Sequence, residues 1–344
     1  LEGRVALNPE ACGDLVQAGH RVYVEQGAGI FSGYSDDLFA AAGVTITRDA
    51  AATYGQAQLI VKVKEPVAGD LALLQKDHLL FCYLHLAANP ELARQLQDTG
   101  LTAVGFETVE TDKGHLPLLA PMSDIAGRLA TQIGSNLLHQ PAGGKGLLLG
   151  GLPGAERGRV VVIGAGNAGG NAAAMAAAMG AEVTVFDRNR ERLLAMRSLG
   201  NNVTALYPYQ EAVRQAVAAA DLLIGAVLET GDRSPHVVTR RMVAAMATGS
   251  VIVDISVDQG GCIETTRPTN YENPTYIEEG VVHFAVTNMP GAVPRSASQA
   301  LSAAVLPFVH RITGADWKSN LPLARGLNIE AGKIVHPVLK ESLA

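Results

Sequence analysis

No two cysteines in this 344-residue sequence have the CxxC spacing that would hold zinc or run disulfide exchange; Cys12, Cys82 and Cys262 stand far apart. Their odd number fits reduced, mostly structural thiols, and no metal site is expected. Charge is also scarce: Asp, Glu, Lys and Arg make up 17% of the chain, and the net charge of −6 comes with no dense basic stripe. A nucleic-acid backbone needs such a stripe, so nucleic acid is not expected as a partner. No apolar run approaches the roughly 18 residues needed to span a bilayer. No charged-then-apolar leader with a small-residue cleavage site opens the sequence. The expectation is a soluble, cytoplasmic protein with no membrane partner.

What is present is an ordinary globular composition, with 48% hydrophobic residues and 37 glycines spread among the apolar runs. Single cores stop growing at about 250–300 residues, so a chain of this length is expected to form two domains.

The first hundred residues alternate helical and extended patterns. Pro9 to Gly19, Asp36 to Ala42 and Pro90 to Thr99 are predicted helical. Arg21 to Val24, Leu59 to Val63, Leu79 to Tyr83 and Thr102 to Gly105 are predicted strands. Short apolar runs spaced by amphipathic helices indicate a parallel sheet. A long unbroken helix is predicted from Asp124 to Leu138, followed by the Gly/Pro-rich stretch Gln140 to Gly158. A second α/β series opens at Val160 to Ile163 and continues through Val183 to Phe186, Val203 to Leu206, Leu222 to Ala226, Val251 to Ile255 and Val281 to Val286. A last long helix, Ser296 to Ile312, and a helical segment near Leu321 to Gly326 form the tail. The first series has too few helices to cover both faces of its sheet, and parallel sheets need both covered. The tail is therefore expected to return to it.

The expected fold is α/β: two Rossmann-like doubly wound parallel-sheet domains, the first discontinuous around the inserted second. The division is placed at residues 1–122 with 296–344 for the first and 123–295 for the second.

The most specific local motif is Val160-Val161-Val162-Ile163 running into Gly164-Ala165-Gly166-Asn167-Ala168-Gly169 and then the alanine-rich stretch Gly170 to Met179. Strand, GxGxxG and helix occur in the order that dinucleotide binding requires. Gly164 permits the tight turn, Gly166 lets backbone approach a pyrophosphate, and Gly169 lets helix and strand pack closely. Asp187 ends the next strand 23 residues after Gly164, near the usual distance of about 20 for the ribose-binding acid. Its carboxylate favours NAD over NADP by repelling a 2′-phosphate. Arg188, Arg190 and Arg192 follow at once; they are either a solvated helix start or groups able to take a 2′-phosphate, and Arg192 is kept among the cofactor-binding candidates. Gly143-Gly144-Lys145-Gly146 lacks the strand-GxxxxGK[ST]-helix order of a P-loop and is read as a linker turn.

Ligands of open α/β sheets sit beyond the carboxyl ends of the strands, which singles out Lys64, His85 and Asp258. A lysine at a strand end can hold a substrate carboxylate, or simply be solvated. His85 can exchange a proton with a carbonyl oxygen or amine, although most of the nine histidines, His283 within its strand among them, are better read as structural. Asp258 either stabilises an ammonium or is a turn aspartate before glycines.

Several segments together resemble alanine dehydrogenase, of the alanine dehydrogenase/pyridine nucleotide transhydrogenase family. They are Arg4-Val5-Ala6-Leu7, Val63-Lys64-Glu65-Pro66, Tyr83-Leu84-His85-Leu86-Ala87-Ala88, Pro117-Leu118-Leu119-Ala120-Pro121-Met122-Ser123, Asp258-Gln259-Gly260-Gly261 and Thr287-Asn288-Met289-Pro290-Gly291-Ala292-Val293-Pro294. The likeness runs in order over essentially the whole chain. It implies NAD-dependent oxidation of L-alanine to pyruvate and ammonia by a homo-hexamer. It further implies that Arg4 and Lys64 bind the substrate carboxylate and that His85 and Asp258 carry acid-base work. Met122 and Asn288 would line the substrate pocket, and Ser123 and Asp187 would touch the cofactor. Hydride would pass from the alanine Cα to the nicotinamide, leaving an imine that water attacks.

The sequence departs from the family at two places. The resemblance implies a β-strand upstream of Arg4, where only Leu1, Glu2 and Gly3 stand, so the sequence is expected to be incomplete there. Ser256 stands where the family often has alanine, a change expected to be harmless. Three rival readings remain. One is the NAD-binding subunit of a proton-translocating transhydrogenase, which would leave Lys64 and His85 dispensable. The others are a lysine-forming opine dehydrogenase and a catalytically silent NAD-binding regulator.

Overall fold

The structure, a computed structural model, describes residues 2–227 and 234–343. The chain divides into two compact units, one made of Leu1–Met122 with Gly291–Ala344, the other of Ser123–Pro290. Each is considered by itself.

In the first unit, Leu59–Val61, Leu79–Cys82 and Thr102–Gly105 pair in parallel, with Leu59 opposite Leu79 and Leu79 opposite Thr102. Leu80, Phe81 and Cys82 are fully buried, as consecutive residues must be when both faces of a sheet are covered. Two of the strands are shorter than the apolar runs suggest, because regular pairing stops at Val61 and Cys82. The backbone stays tied past those points, with Lys62 N–H bonded to Phe81 O at 3.2 Å and Tyr83 N–H to Val63 O at 3.1 Å.

The tail does return to this unit, but not only as helices. Leu327–Glu330 runs antiparallel beside Thr102–Gly105, and Lys333–Ile334 adds an antiparallel edge, so the five-stranded sheet is mixed. These strands are too short to show alternation in the sequence. Ile329 joins Leu80, Leu96 and Leu101 in one buried cluster, where each full side-chain burial contributes roughly 1.5–3 kcal/mol. The extended segment near residues 21–24 is likewise not part of this sheet. Tyr23–Glu25 and Thr45–Thr47 form a separate parallel pair over a small core of Cys12, Tyr34, Phe39 and Val44.

Three helices of this unit begin alike. Asn8, Asn89 and Asn320 accept the backbone N–H three residues on, and a proline at the first or second helical position has no N–H to leave unpaired.

The second unit holds a seven-stranded sheet in the order Thr275–Glu278, Val281–Phe284, Val251–Asp254, Leu222–Gly225, Arg159–Ile163, Glu182–Phe186, Val203–Leu206. All pairs are parallel except the first. That edge hairpin turns at Glu279 and Gly280, both with positive φ (+52° and +76°), the backbone a two-residue hairpin needs. Glu-Gly is a weaker signal for it than Asn-Gly, and the strand was not legible. Strand order reverses between Arg159–Ile163 and Leu222–Gly225, the switch point where open α/β sheets bind ligands.

The Gly/Pro-rich stretch 140–158 is not a linker. Lys145 donates its backbone N–H to Gly249 O at 3.0 Å, and its ammonium pairs with Asp221. A Cβ at Gly150 would lie 2.2 Å from Met179 O. The glycines serve close packing inside the second unit.

Candidate functional site

The second unit's switch point carries the glycine turn. Gly164 has φ +99°, and a Cβ there would meet Ala226 O at 2.4 Å. A Cβ at Gly169 would stand 1.8 Å from Gly164 O. Gly166 differs: its nearest neighbour would be Arg192 Nη1 at 4.0 Å. Two glycines are thus required by the fold, while the middle one borders open space at the start of helix Asn167–Ala178. Unpaired amides at a helix start beside such a gap fit the pyrophosphate of a dinucleotide.

Asp187 braces this turn. Its Oδ2 accepts Ala165 N–H and its Oδ1 accepts Asn189 N–H, each at 2.7 Å. Arg192, 56% exposed at its side chain, has Nη1 3.7 Å from the same carboxylate. Ser123 is in the first turn of helix Ala120–Leu137. Four residues on, that helix crosses Asn167–Ala178 so closely that a Cβ at Gly127 would lie 2.0 Å from Ala168 O. Asn171 Nδ2 donates to Asp124 at 2.9 Å across the same crossing.

The same sheet edge presents Asp258. Strand Val251–Asp254 runs into the turn Ile255–Gln259, and Gly260 and Gly261 follow with φ +92° and +79°. The paired glycines therefore have a backbone reason. Asp258 is exposed, and Asn288 donates its backbone N–H to Asp258 Oδ2 at 3.5 Å. Asn288 itself has φ +58°. Residues 30 positions apart are thus brought together.

Sequence reasoning missed Asp254. It is fully buried and accepts the N–H groups of Ser256, Cys262 and Ile263 at 2.9, 3.0 and 3.3 Å. Burial pushes its carboxyl above the usual range, against those three donors. One side chain ties both ends of the loop that carries Asp258. The available signal was an acid closing an otherwise apolar strand.

In the first unit Arg4 is 3% exposed at its side chain and holds Glu2 by a two-pronged pair, Nε to Oε1 at 2.8 Å and Nη2 to Oε2 at 2.6 Å. Its remaining nitrogen lies 3.3 Å from Met122 Sδ, so two sequence-predicted residues meet here. Burial alone would raise the Glu2 carboxyl, but the hydrogen bonds and charge of Arg4, with Lys64 adding to them, hold it below the usual range. Lys64, 35% exposed, lies 3.9 Å from Glu65 and is the more accessible cation.

His85 follows its strand as an exposed residue with φ +50°. Its ring stacks on Tyr83, centroids 5.8 Å apart and planes within 3°. Tyr83 donates its hydroxyl to Leu118 O at 2.6 Å, and burial raises its pKa. Glu107, which sequence reasoning also missed, accepts the N–H groups of Leu84 and His85. The three cysteines are buried, and burial pushes the Cys12 thiol up to about 12. None offers an available nucleophile. Among the described residues no helix is long and apolar enough to cross a membrane.

The sequence-predicted residues fall into two sets. Arg4, Lys64, His85 and Met122 lie in the first unit; Ser123, Gly164, Gly166, Gly169, Asp187, Arg192, Asp258 and Asn288 lie in the second.

Two family models match the chain: the alanine dehydrogenase/PNT N-terminal domain over residues 1–126 and the C-terminal domain over residues 130–337. An alanine dehydrogenase of Halomonas elongata is 46% identical, over 99% of this chain and 93% of its own. One of Bacillus subtilis is 44% identical, over 99% and 92%. A solved L-alanine dehydrogenase superposes with a TM-score of 0.96 at 48% identity, covering 100% of this chain and 97% of that one. A transhydrogenase from Sinorhizobium meliloti superposes with a TM-score of 0.84 at 25% identity, covering 98% and 96%.

Proposed function

The chain belongs to the alanine dehydrogenase/PNT family, and from that premise we propose that it interconverts L-alanine with pyruvate and ammonia using NAD. In the deaminating direction L-alanine, NAD⁺ and water give pyruvate, ammonium, NADH and a proton. The observation that carries the reading is that the buried Arg4 grips a carboxylate with two of its nitrogens within the unit that presents His85 as an exposed imidazole. A module that only displays a dinucleotide to a partner needs neither a carboxylate clamp nor an accessible imidazole.

In this reading Lys64 and Arg4 hold the substrate carboxylate, and Met122 packs beside Arg4. Bound NAD supplies the acceptor for the Cα hydride. His85 hydrogen-bonds the developing carbonyl oxygen and takes a proton from the added water, while Asp258 takes a proton at the nitrogen. Fixing one end of the substrate turns the chemistry into a positioned, effectively unimolecular event. Gly164, Gly166 and Gly169 shape the pyrophosphate turn, Asp187 serves the ribose, and Ser123 and Arg192 contact the cofactor. Asn288 sets the loop of Asp258. A cytoplasmic homo-hexamer accompanies the proposal, and sedimentation of the purified protein tests the hexamer.

The deciding experiment is NADH formation from L-alanine and NAD⁺ at mildly alkaline pH. Steady turnover that L-alanine saturates supports the proposal. Clear NADH binding with no turnover would overturn it in favour of a dinucleotide-presenting module.

A further inference from the structure

His85 carries a Cβ, yet its backbone sits at φ +50°, ψ +37°, in the left-handed region that side chains disfavour. Nothing in the apolar strand before it demands that turn, so a partner must hold it. Glu107 is that partner. Its Oε1 accepts the His85 N–H at 2.7 Å, and both of its oxygens lie 3.2 Å from the Leu84 nitrogen. Consecutive amides converging on one carboxylate make charge-assisted bonds, the stronger kind.

Glu107 is itself fixed from both ends of the chain. It lies in the turn Phe106–Thr108, just past the strand Thr102–Gly105 that neighbours the one leading to His85. Thr108 donates to Asn328 Oδ1 at 2.8 Å, and Asn328 belongs to the returning strand Leu327–Glu330. The ring has a separate support in Tyr83, whose other contacts are Leu118 O and the edge of Phe106, centroids 5.2 Å apart. Glu107 thus holds the backbone, and Tyr83 offers the face against which that backbone sets the ring.

We propose that Glu107 is a positioning residue for His85: its carboxylate fixes the left-handed turn that stands the imidazole on Tyr83. The inference rests on the alanine dehydrogenase reading for its kinetic consequence, but the geometric claim can be tested without it. Releasing the turn swings the imidazole while leaving Arg4 and Lys64 in place. Turnover then falls with little change in substrate affinity, since small misplacements can cost as much as about a hundredfold.

The test compares wild type with Glu107→Gln, Glu107→Ala, His85→Ala and the double variant Glu107→Ala/His85→Ala. Glu107→Ala is expected to lower kcat for pyruvate amination at least about tenfold with KM nearly constant, and Glu107→Gln, which keeps one acceptor oxygen, to recover most of it. In the His85→Ala background Glu107→Ala should add nothing. Independently of activity, the rate at which diethyl pyrocarbonate modifies His85, read by mass spectrometry, should rise in Glu107→Ala with NADH binding unchanged. An equal loss in both backgrounds, or a loss confined to KM, overturns the inference. If Glu107→Ala does not fold, Glu107→Asp, whose shorter side chain carries the carboxylate out of reach of both amides, is measured in its place, and wild-type kcat with wild-type His85 modification in that variant overturns the inference. Full turnover in His85→Ala would instead sink the functional reading, leaving the modification rate to judge Glu107.

Discussion

Gly169 stands so close to Gly164 that a methyl group on the first would lie 1.8 Å from the carbonyl oxygen of the second, whereas one on Gly166 would meet only Arg192 Nη1 at 4.0 Å. The two glycines therefore fail differently. Gly169→Ala forces backbone apart and should cost at least about 1–3 kcal/mol, seen as a melting temperature several degrees lower. Gly166→Ala should melt like wild type and bind NADH at least roughly tenfold more weakly, because the added carbon stands where a phosphate must approach. Undiminished NADH affinity in a well-folded Gly166→Ala, followed by fluorescence, would remove the pyrophosphate assignment.

His85 and Asp258 are predicted to carry the acid-base work. His85→Ala and Asp258→Ala should each lower turnover at least roughly a hundredfold, the usual contribution of a general acid or base. Both side chains are exposed, so neither loss should unfold the protein. Steady-state rates in both directions check this; near wild-type turnover in both variants would retire the assignment.

The parts of the fold legible in the sequence are those whose burial leaves a one-dimensional trace. Leu79 to Cys82 and Val251 to Asp254 are nearly unbroken apolar runs because both sheet faces are covered. The returning tail was legible only as a need for cover. Its strand Leu327-Asn328-Ile329-Glu330 alternates too briefly to be seen, and its pairing with Thr102–Gly105 is set more than two hundred positions away. The site followed the same division. Glycines and strand-end polar residues announced themselves by position, but Glu107, Asp254 and Glu2 act through backbone amides or a neighbouring guanidinium. Such roles depend on which amides point inward, and no local pattern records that. The left-handed backbone at His85 and Asn288, two of the four non-glycine residues with positive φ among those described, was equally invisible.

Lys64 is the exposed member of the cation pair, while Arg4 is sealed against Glu2 and Met122. Truncating Lys64 should therefore act on substrate binding more than on folding. Lys64→Ala is expected to raise KM for pyruvate roughly ten- to a hundredfold, as loss of a charge-assisted bond worth about 1.5–3 kcal/mol implies, with an unchanged melting temperature. Lys64→Arg should restore part of it. A KM equal to wild type in Lys64→Ala would show that the substrate carboxylate is held elsewhere.

His283 couples the second unit's stability to pH. It is 1% exposed, Nδ1 faces Val281 O at 3.0 Å, and Nε2 lies 2.8 Å from Thr265 Oγ1. A carbonyl can only accept, so Nδ1 carries the proton and Nε2 accepts from the threonine hydroxyl; the neutral ring satisfies both partners. Burial pushes its pKa down, outweighing the Val281 carbonyl and Glu278, while Arg267 and Arg240 lower it further. The unfolded chain takes up the proton near pH ~6.5, the folded ring only at lower pH. Stability is therefore lost as pH falls below about 6.5, and the loss levels off once the folded ring also titrates. His336 in the first unit, likewise lowered by burial, adds a loss of the same sign. Asp254, whose carboxyl is raised, works in the opposite sense, so the difference between two proteins isolates His283. Melting temperatures measured from about pH 8 to about pH 5 should fall less steeply for His283→Gln than for wild type. Parallel curves would mean that His283 is charged as readily in the folded protein as in the unfolded chain, contrary to the hydrogen bonds that surround it.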